Sequence, residues 1–162
     1  MEGKIVRLPE KHVIGIRFSG TFPMLEQEMP KEWERFLARQ EEIPLVVQPH
    51  IRYDISDENH TYKIFTEYVA VEVERFEQIP EGMVGFTIPP RTYAQFTHIG
   101  PMALVKDTYT RLFQWLDEQG LAVDWSALRM ERYDERYIPS VHDASRPDNA
   151  YDIFIPLVQP AD

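Results

Sequence analysis

Two short segments of the chain repeat each other and differ at one position that could do chemistry. Residues 51–54 read Ile-Arg-Tyr-Asp, and residues 131–134, 80 positions later, read Glu-Arg-Tyr-Asp. The same spacing takes Gly20 to Gly100. A glutamate on an apolar-flanked strand can bind a cation or act as a general base. Since a buried carboxylate needs a partner, Glu131 is the first candidate for a site residue.

Aromatic side chains near Glu131 would form the walls of such a site. On a regular strand, Tyr133 faces the same side as Glu131. A tyrosine offers an apolar ring and one hydroxyl, and an aromatic face attracts a cation by about 0.5–2 kcal/mol. The alternative is a surface glutamate that pairs across the sheet with Arg129 or Arg52. The predicted ligand-binding residues are Glu131, Tyr93, Tyr133, Tyr68, Trp33 and Phe113.

The elements that would position these residues occur twice along the chain. Alternating apolar residues predict a strand at 11–18 and another at 93–99, each followed closely by a glycine. A helix with an apolar stripe follows each strand, and Pro30 fits the first turn of the first helix. Two further strands complete each half, and a polar turn is predicted at 56–59. The order strand–helix–strand–strand therefore occurs twice.

The composition excludes several classes of function. The chain has 162 residues and a net charge of −10, which disfavours direct contact with nucleic acid. It has no cysteine, and its five histidines are dispersed, so we expect no metal site and no cofactor. No apolar run is long enough to cross a membrane, and no signal peptide is evident. We expect a cytoplasmic protein.

Four segments and their order resemble the GyrI-like small-molecule-binding domain. This domain is the effector-binding part of AraC- and MerR-type regulators and also occurs alone. The first half, with Trp33 on its helix, looks most like the stand-alone, integron-associated branch. The segments that carry the resemblance are 93–101 (Y-A-Q-F-T-H-I-G-P), 112–116 (L-F-Q-W-L), 130–133 (M-E-R-Y) and 152–157 (D-I-F-I-P-L).

The resemblance implies an α+β fold of tandem duplicated β-α-β-β units with pseudo-twofold symmetry. An antiparallel sheet would carry two main helices, with a groove between the halves. Residues 1–162 would form one domain with repeat halves at about 1–79 and 80–162. Glu131 matches an acidic residue that lies in the family's groove among aromatic side chains.

Three functions are candidates, two from this resemblance and one from the acidic surface. The first is a stand-alone binding protein for lipophilic or cationic small molecules, for drug or effector sensing or sequestration. The second is a GyrI-like hydrolase of strained, electrophilic molecules with Glu131 as its base. The third is an acidic adaptor that binds a protein partner. We expect a binding protein rather than an enzyme.

Overall fold

The computed structural model describes residues 3–159. These residues form an eight-stranded antiparallel sheet with two helices on one face. The predicted α+β fold is confirmed. The helices are α1 (Phe22–Arg39) and α2 (Val105–Glu118). The strands are β1 (Lys4–Leu8), β2 (Lys11–Gly20), β3 (Arg52–Asn59), β4 (Ile64–Val73), β5 (Val84–Ile88), β6 (Arg91–Ile99), β7 (Arg129–Tyr133) and β8 (Ala150–Pro156). No helix within the described residues is long and apolar enough to span a membrane.

Each half begins with an extra short strand that crosses to the other half. The order in the sheet is β1-β6-β8-β7-β3-β4-β2-β5, so β1 pairs with β6 and β5 pairs with β2. These strands have five residues each. In β1 the exposed Lys4 and Arg7 obscure the alternation that would have revealed a strand. The two exchanged strands join the halves by backbone hydrogen bonds.

Two local predictions are wrong. Helix α1 begins at Phe22, so Pro23 occupies its first turn and Pro30 lies inside the helix. The segment 56–59 is not a turn, because β3 continues to Asn59. Within this segment Ser56 is buried, and its hydroxyl donates to Glu67 at 2.7 Å, whereas Asp57 and Asn59 are exposed.

The two faces of the sheet have separate apolar clusters. The face under the helices packs Trp33, Phe36, Leu112 and Leu116 against the strands. The opposite face receives no helix residue among its buried members. Those members are Val13, Tyr53, Ile55, Ala70, Ile88, Tyr93, Met130 and Phe154.

The strand register shows which residues of the two halves correspond. The outer strands keep the 80-residue spacing, because Lys4 pairs with Gln95 and Val84 pairs with Gly15. Further in, one row of paired residues crosses the six inner strands under the helices. The row reads Ile16, Val69, Asp54, Glu131, Ile153 and Phe96.

The register makes Asp54, not Ile51, the counterpart of Glu131. Asp54 is the third residue from the Ile16 end of the row, and Glu131 is the third from the Phe96 end. The two residues pair directly with each other. Ile51 packs with the cluster on the opposite face. The predicted match of Ile51 with Glu131 is therefore wrong. The pseudo-twofold axis has a carboxyl group on each side.

Candidate ligand-binding site

The central strands β3 and β7 carry polar residues beneath the gap between the helices. Helix α1 lies over β2 and β4, and α2 lies over β6. Asp54 is only 2% exposed, and its Oδ1 has no hydrogen-bond partner among the described residues. Burying such an oxygen without a partner is costly. The centre of the sheet therefore presents an acceptor that a proton or a ligand can satisfy.

Glu67 on β4 adds a second buried carboxyl group beside Asp54. It is 7% exposed and lies within hydrogen-bonding range of Asp54. Burial raises the pKa of Asp54 well above its ordinary value, and the neighbouring Glu67 and Glu131 raise it further. Burial also raises the pKa of Glu67, while the hydrogen bond from Asp54 lowers it. A hydrogen bond between two carboxyl groups requires one proton, and Asp54 is the more deeply buried member of this pair.

Arg129 is the basic side chain whose charge acts on this group of carboxyls. Its Nη2 donates to Glu58 Oε1 at 2.9 Å, and its guanidinium lies 5.1 Å from the centre of the Tyr109 ring. Burial alone would lower the pKa of Arg129, but the surrounding Tyr109, Glu131 and Glu58 raise it overall. Arg129 therefore stays charged, and Glu58 occupies part of its hydrogen-bonding capacity.

Within the described residues, Glu131 does not pair with Arg129 or Arg52, so the alternative of a surface ion pair is wrong. Arg129 pairs with Glu58, and Arg52 donates from Nε to the side-chain oxygen of Gln40 at 2.7 Å. Glu131 Oε2 instead accepts the Tyr133 hydroxyl at 3.0 Å.

Aromatic rings surround Glu131 on the side of α1. The Tyr133 ring stacks on Tyr151 with centroids 4.6 Å apart, and Trp33 meets Tyr133 edge-on at 5.0 Å. Burial raises the pKa of both tyrosines, and the Glu131 charge raises each further. Both hydroxyls therefore remain protonated at neutral pH, and the Tyr133 hydroxyl is the donor to Glu131.

The wall on the side of α2 is also aromatic. Phe113 stacks on Trp125 with centroids 5.7 Å apart, and Tyr109 lies next to Phe113. The Tyr109 hydroxyl is buried without a partner among the described residues. We call the region between the two helices, next to the buried carboxyl groups, the central groove. The residues on its sheet side are Asp54, Glu67, Arg129, Glu131 and Tyr133, and those on its helix side are Trp33, Tyr109 and Phe113, with Trp125 stacked on Phe113.

A small pocket lies on the α2 side of this region, against Phe113, Trp125 and Arg129, and Asp54 and Glu131 do not line it. It leaves about 10 Å³ open to water. That is about the space of one water molecule, whereas sites for drug-sized ligands enclose about 300–1,000 Å³. Trp125 is 54% exposed, so this pocket lies at the surface of the protein.

The structure gathers four of the six predicted site residues and separates two. Trp33, Phe113, Glu131 and Tyr133 lie on the helix side of the sheet. Tyr93 and Tyr68 pack on the opposite face, the first against Phe154 and the second against Phe86. Alternation shows which residues of one strand share a face of the sheet. It does not show which face of a distant strand lies on the same side.

The sequence analysis missed the residues that complete the floor and one wall. Asp54 was visible as the last residue of the first repeat motif, but the 80-residue spacing pointed away from it. Tyr109 belongs to the apolar stripe of α2, where it could not be told from a core residue. Glu67 lies within β4, a strand of mostly apolar and aromatic residues, and gave no separate signal.

These features describe a duplicated α+β domain whose centre combines buried carboxyl groups with aromatic side chains. A family model of integron-associated effector-binding proteins matches residues 4–157. The chain belongs to that family.

One characterised relative is the transcriptional regulator BrlR of Pseudomonas aeruginosa. The two sequences are 30% identical over 159 residues, which covers 97% of this chain and 56% of BrlR. The chain thus spans about half the length of that regulator.

Solved structures of distant sequence share the fold. The structure of SAV2435 bound to tetraphenylphosphonium superposes with a TM-score of 0.75 at 15% identity, covering 98% of this chain and 94% of that one. A hydrolase from Listeria innocua superposes with a TM-score of 0.60 at 11% identity, covering 97% of this chain and 92% of that one.

Proposed function

We propose that the protein binds lipophilic cations in the central groove. The observation that carries the proposal is the pair of carboxyl residues, Asp54 and Glu131, placed side by side beneath aromatic walls. In a site that excludes water, a cation gains from both the charge of Glu131 and the ring faces of Trp33 and Phe113. A neutral ligand of the same shape gains only from the rings.

The relatives support a role in sensing or sequestering such molecules. BrlR is a transcriptional regulator, and SAV2435 has been solved with tetraphenylphosphonium, a lipophilic cation. The pocket against Phe113, Trp125 and Arg129 has little free volume, so binding of a drug-sized cation must displace side chains. We assign this movement to Trp125, because its side chain is exposed and stacks on Phe113 at the edge of the pocket.

A matched pair of ligands tests the proposal. Methyltriphenylphosphonium is cationic, and triphenylphosphine oxide has a similar shape without net charge. The cation should raise the melting temperature and the neutral compound should raise it less. A ligand at one hundred times its Kd adds about 2.7 kcal/mol to the free energy of unfolding.

A variant pair locates the site. Glu131→Gln removes one negative charge and should weaken the cation's Kd by about tenfold or more. Glu135→Gln removes the same charge from an exposed position close in sequence and should change the Kd little. Equal effects of the two variants, or equal stabilisation by the two ligands, would contradict a carboxylate-based cation site.

A hydrolase is the second candidate function. The Tyr133 hydroxyl lies 3.0 Å from Glu131, which juxtaposes a proton donor and a carboxylate, and one structural neighbour is a hydrolase. Glu131 would take a proton from water, and a tyrosine would protonate the leaving group. Mass spectrometry of an electrophilic ligand after long incubation decides this point. A ligand recovered unchanged, at the same rate as without protein, rules out turnover of that compound.

A further inference from the structure

We propose that Asp54 is the second anionic residue of the cation site and that it exchanges a proton for the bound cation. In the empty central groove the Asp54 carboxyl carries the proton. When the cation binds next to Asp54 and Glu131, that proton leaves to solvent and Asp54 becomes a carboxylate. This inference rests on the proposed function and adds the means by which the site balances its charge.

The first support is the unpartnered oxygen of Asp54. The residue is 2% exposed, yet its Oδ1 accepts no hydrogen bond among the described residues. Its other contact is the Glu67 carboxyl, and two carboxyl groups form a hydrogen bond only when one is protonated. Oδ1 of Asp54 is thus free for a ligand, and the carboxyl pair holds a proton that can leave.

The second support is the position of Asp54 in the sheet. Asp54 and Glu131 correspond to each other across the pseudo-twofold axis and pair directly between β3 and β7. A cation that reaches Glu131 from between the helices therefore also meets Asp54. Both residues lie on the face of the sheet that carries the helices, so two carboxyl groups are available to one cation.

The groups around Asp54 favour a site whose net charge stays the same when the cation binds. Burying an additional net charge in a dry site is costly, so arrival of one positive charge favours loss of another. Arg129 is held by Glu58 and stays charged, so it is not the group that leaves. On α1, Glu32 is already paired with Arg35. The remaining groups facing Asp54 are Glu67 on β4, Glu131 and Tyr133 on β7, Tyr151 on β8, Tyr109 on α2, and Arg52 and Glu58 on β3 itself.

Proton exchange gives the site a distinct pH dependence. Cation affinity should rise with pH, by up to about tenfold per pH unit, while Asp54 is protonated in the empty protein. Above the raised pKa of Asp54 the affinity should become constant. Binding of the neutral triphenylphosphine oxide should not gain affinity over the same range, because it displaces no proton.

Isothermal titration calorimetry measures the proton directly. Methyltriphenylphosphonium is titrated into the protein at one pH, in phosphate and in Tris, two buffers with different ionisation enthalpies. The wild type should release close to one proton per cation, seen as a difference in heat between the buffers. Asp54→Asn should still bind the cation through Glu131 but release almost no proton. Asp57→Asn, at an exposed position on the same strand, should behave like the wild type.

The outcomes separate this inference from the proposed function. If the cation binds with equal heats in both buffers, proton exchange is wrong and the cation site stands. If Asp54→Asn releases the full proton, the proton belongs to another group, and the assignment to Asp54 is wrong. If neither ligand binds, the proposed function itself fails. Should Asp54→Asn not fold, carbon-13 NMR of the wild type replaces it: the Asp54 carboxyl carbon must move to its ionised position when the cation is added.

Discussion

The proton on Asp54 should make the folded protein less stable as pH rises, even without a ligand. The pKa of Asp54 in the folded protein lies well above its ordinary value of 3.8, mainly because of burial. Above that ordinary value the unfolded chain loses the proton, whereas the folded protein keeps it. Stability therefore falls as pH rises from about this value to the raised pKa, and it is constant beyond.

The expected magnitude follows from one titrating group. A single proton held only by the folded state changes the free energy of unfolding by at most about 1.4 kcal/mol per pH unit. Asp54→Asn keeps the shape and a hydrogen-bond donor toward Glu67 but cannot ionise. The variant should therefore gain stability relative to the wild type as pH rises. Glu67, whose pKa is also raised, leaves part of the slope in both proteins.

Urea unfolding at several pH values between acidic and neutral measures the effect. The quantity to compare is the difference in unfolding free energy between Asp54→Asn and the wild type at each pH. Groups with lowered pKa, such as Asp152, contribute equally to both proteins and cancel. Asp57→Asn, exposed on the same strand, should show no pH-dependent difference. If the difference in unfolding free energy between Asp54→Asn and the wild type is also independent of pH, Asp54 does not hold a proton in the folded protein.

Two further predictions test the geometry. Tyr133→Phe removes the hydroxyl that binds the central glutamate and should weaken cation binding by about 1 kcal/mol, whereas Tyr93→Phe, on the opposite face, should leave the calorimetric Kd unchanged. Gly15→Ala would place a Cβ against the Val69 carbonyl oxygen and should lower the unfolding free energy, measured with urea, by about 3 kcal/mol. In Gly20→Ala the nearest contact of the new Cβ is at 3.4 Å, so this control should lose less than about 0.5 kcal/mol. An effect of Tyr93→Phe equal to that of Tyr133→Phe would contradict the assignment of faces.

Local pattern was sufficient for most of the fold. The alternation of Ile14 and Ile16 on β2, and the helical stripe that includes Trp33 and Phe36, follow from periods that a single element sets by itself. The family resemblance rested on local segments of this kind and is confirmed. The role of Glu131 was predicted from its sequence position, and ligand binding by it stays a prediction.

The tertiary structure alone decided which residues share the central groove. Side chains of a strand alternate between the faces, so a relative shift by one residue between distant strands reverses their faces. The register of β3 against β7 places Asp54, rather than Ile51, opposite Glu131. The register of β6 against β8 places Tyr93 beside Phe154, away from Tyr133. Hydrogen bonds between strands far apart in the chain set both registers, and no local pattern encodes them.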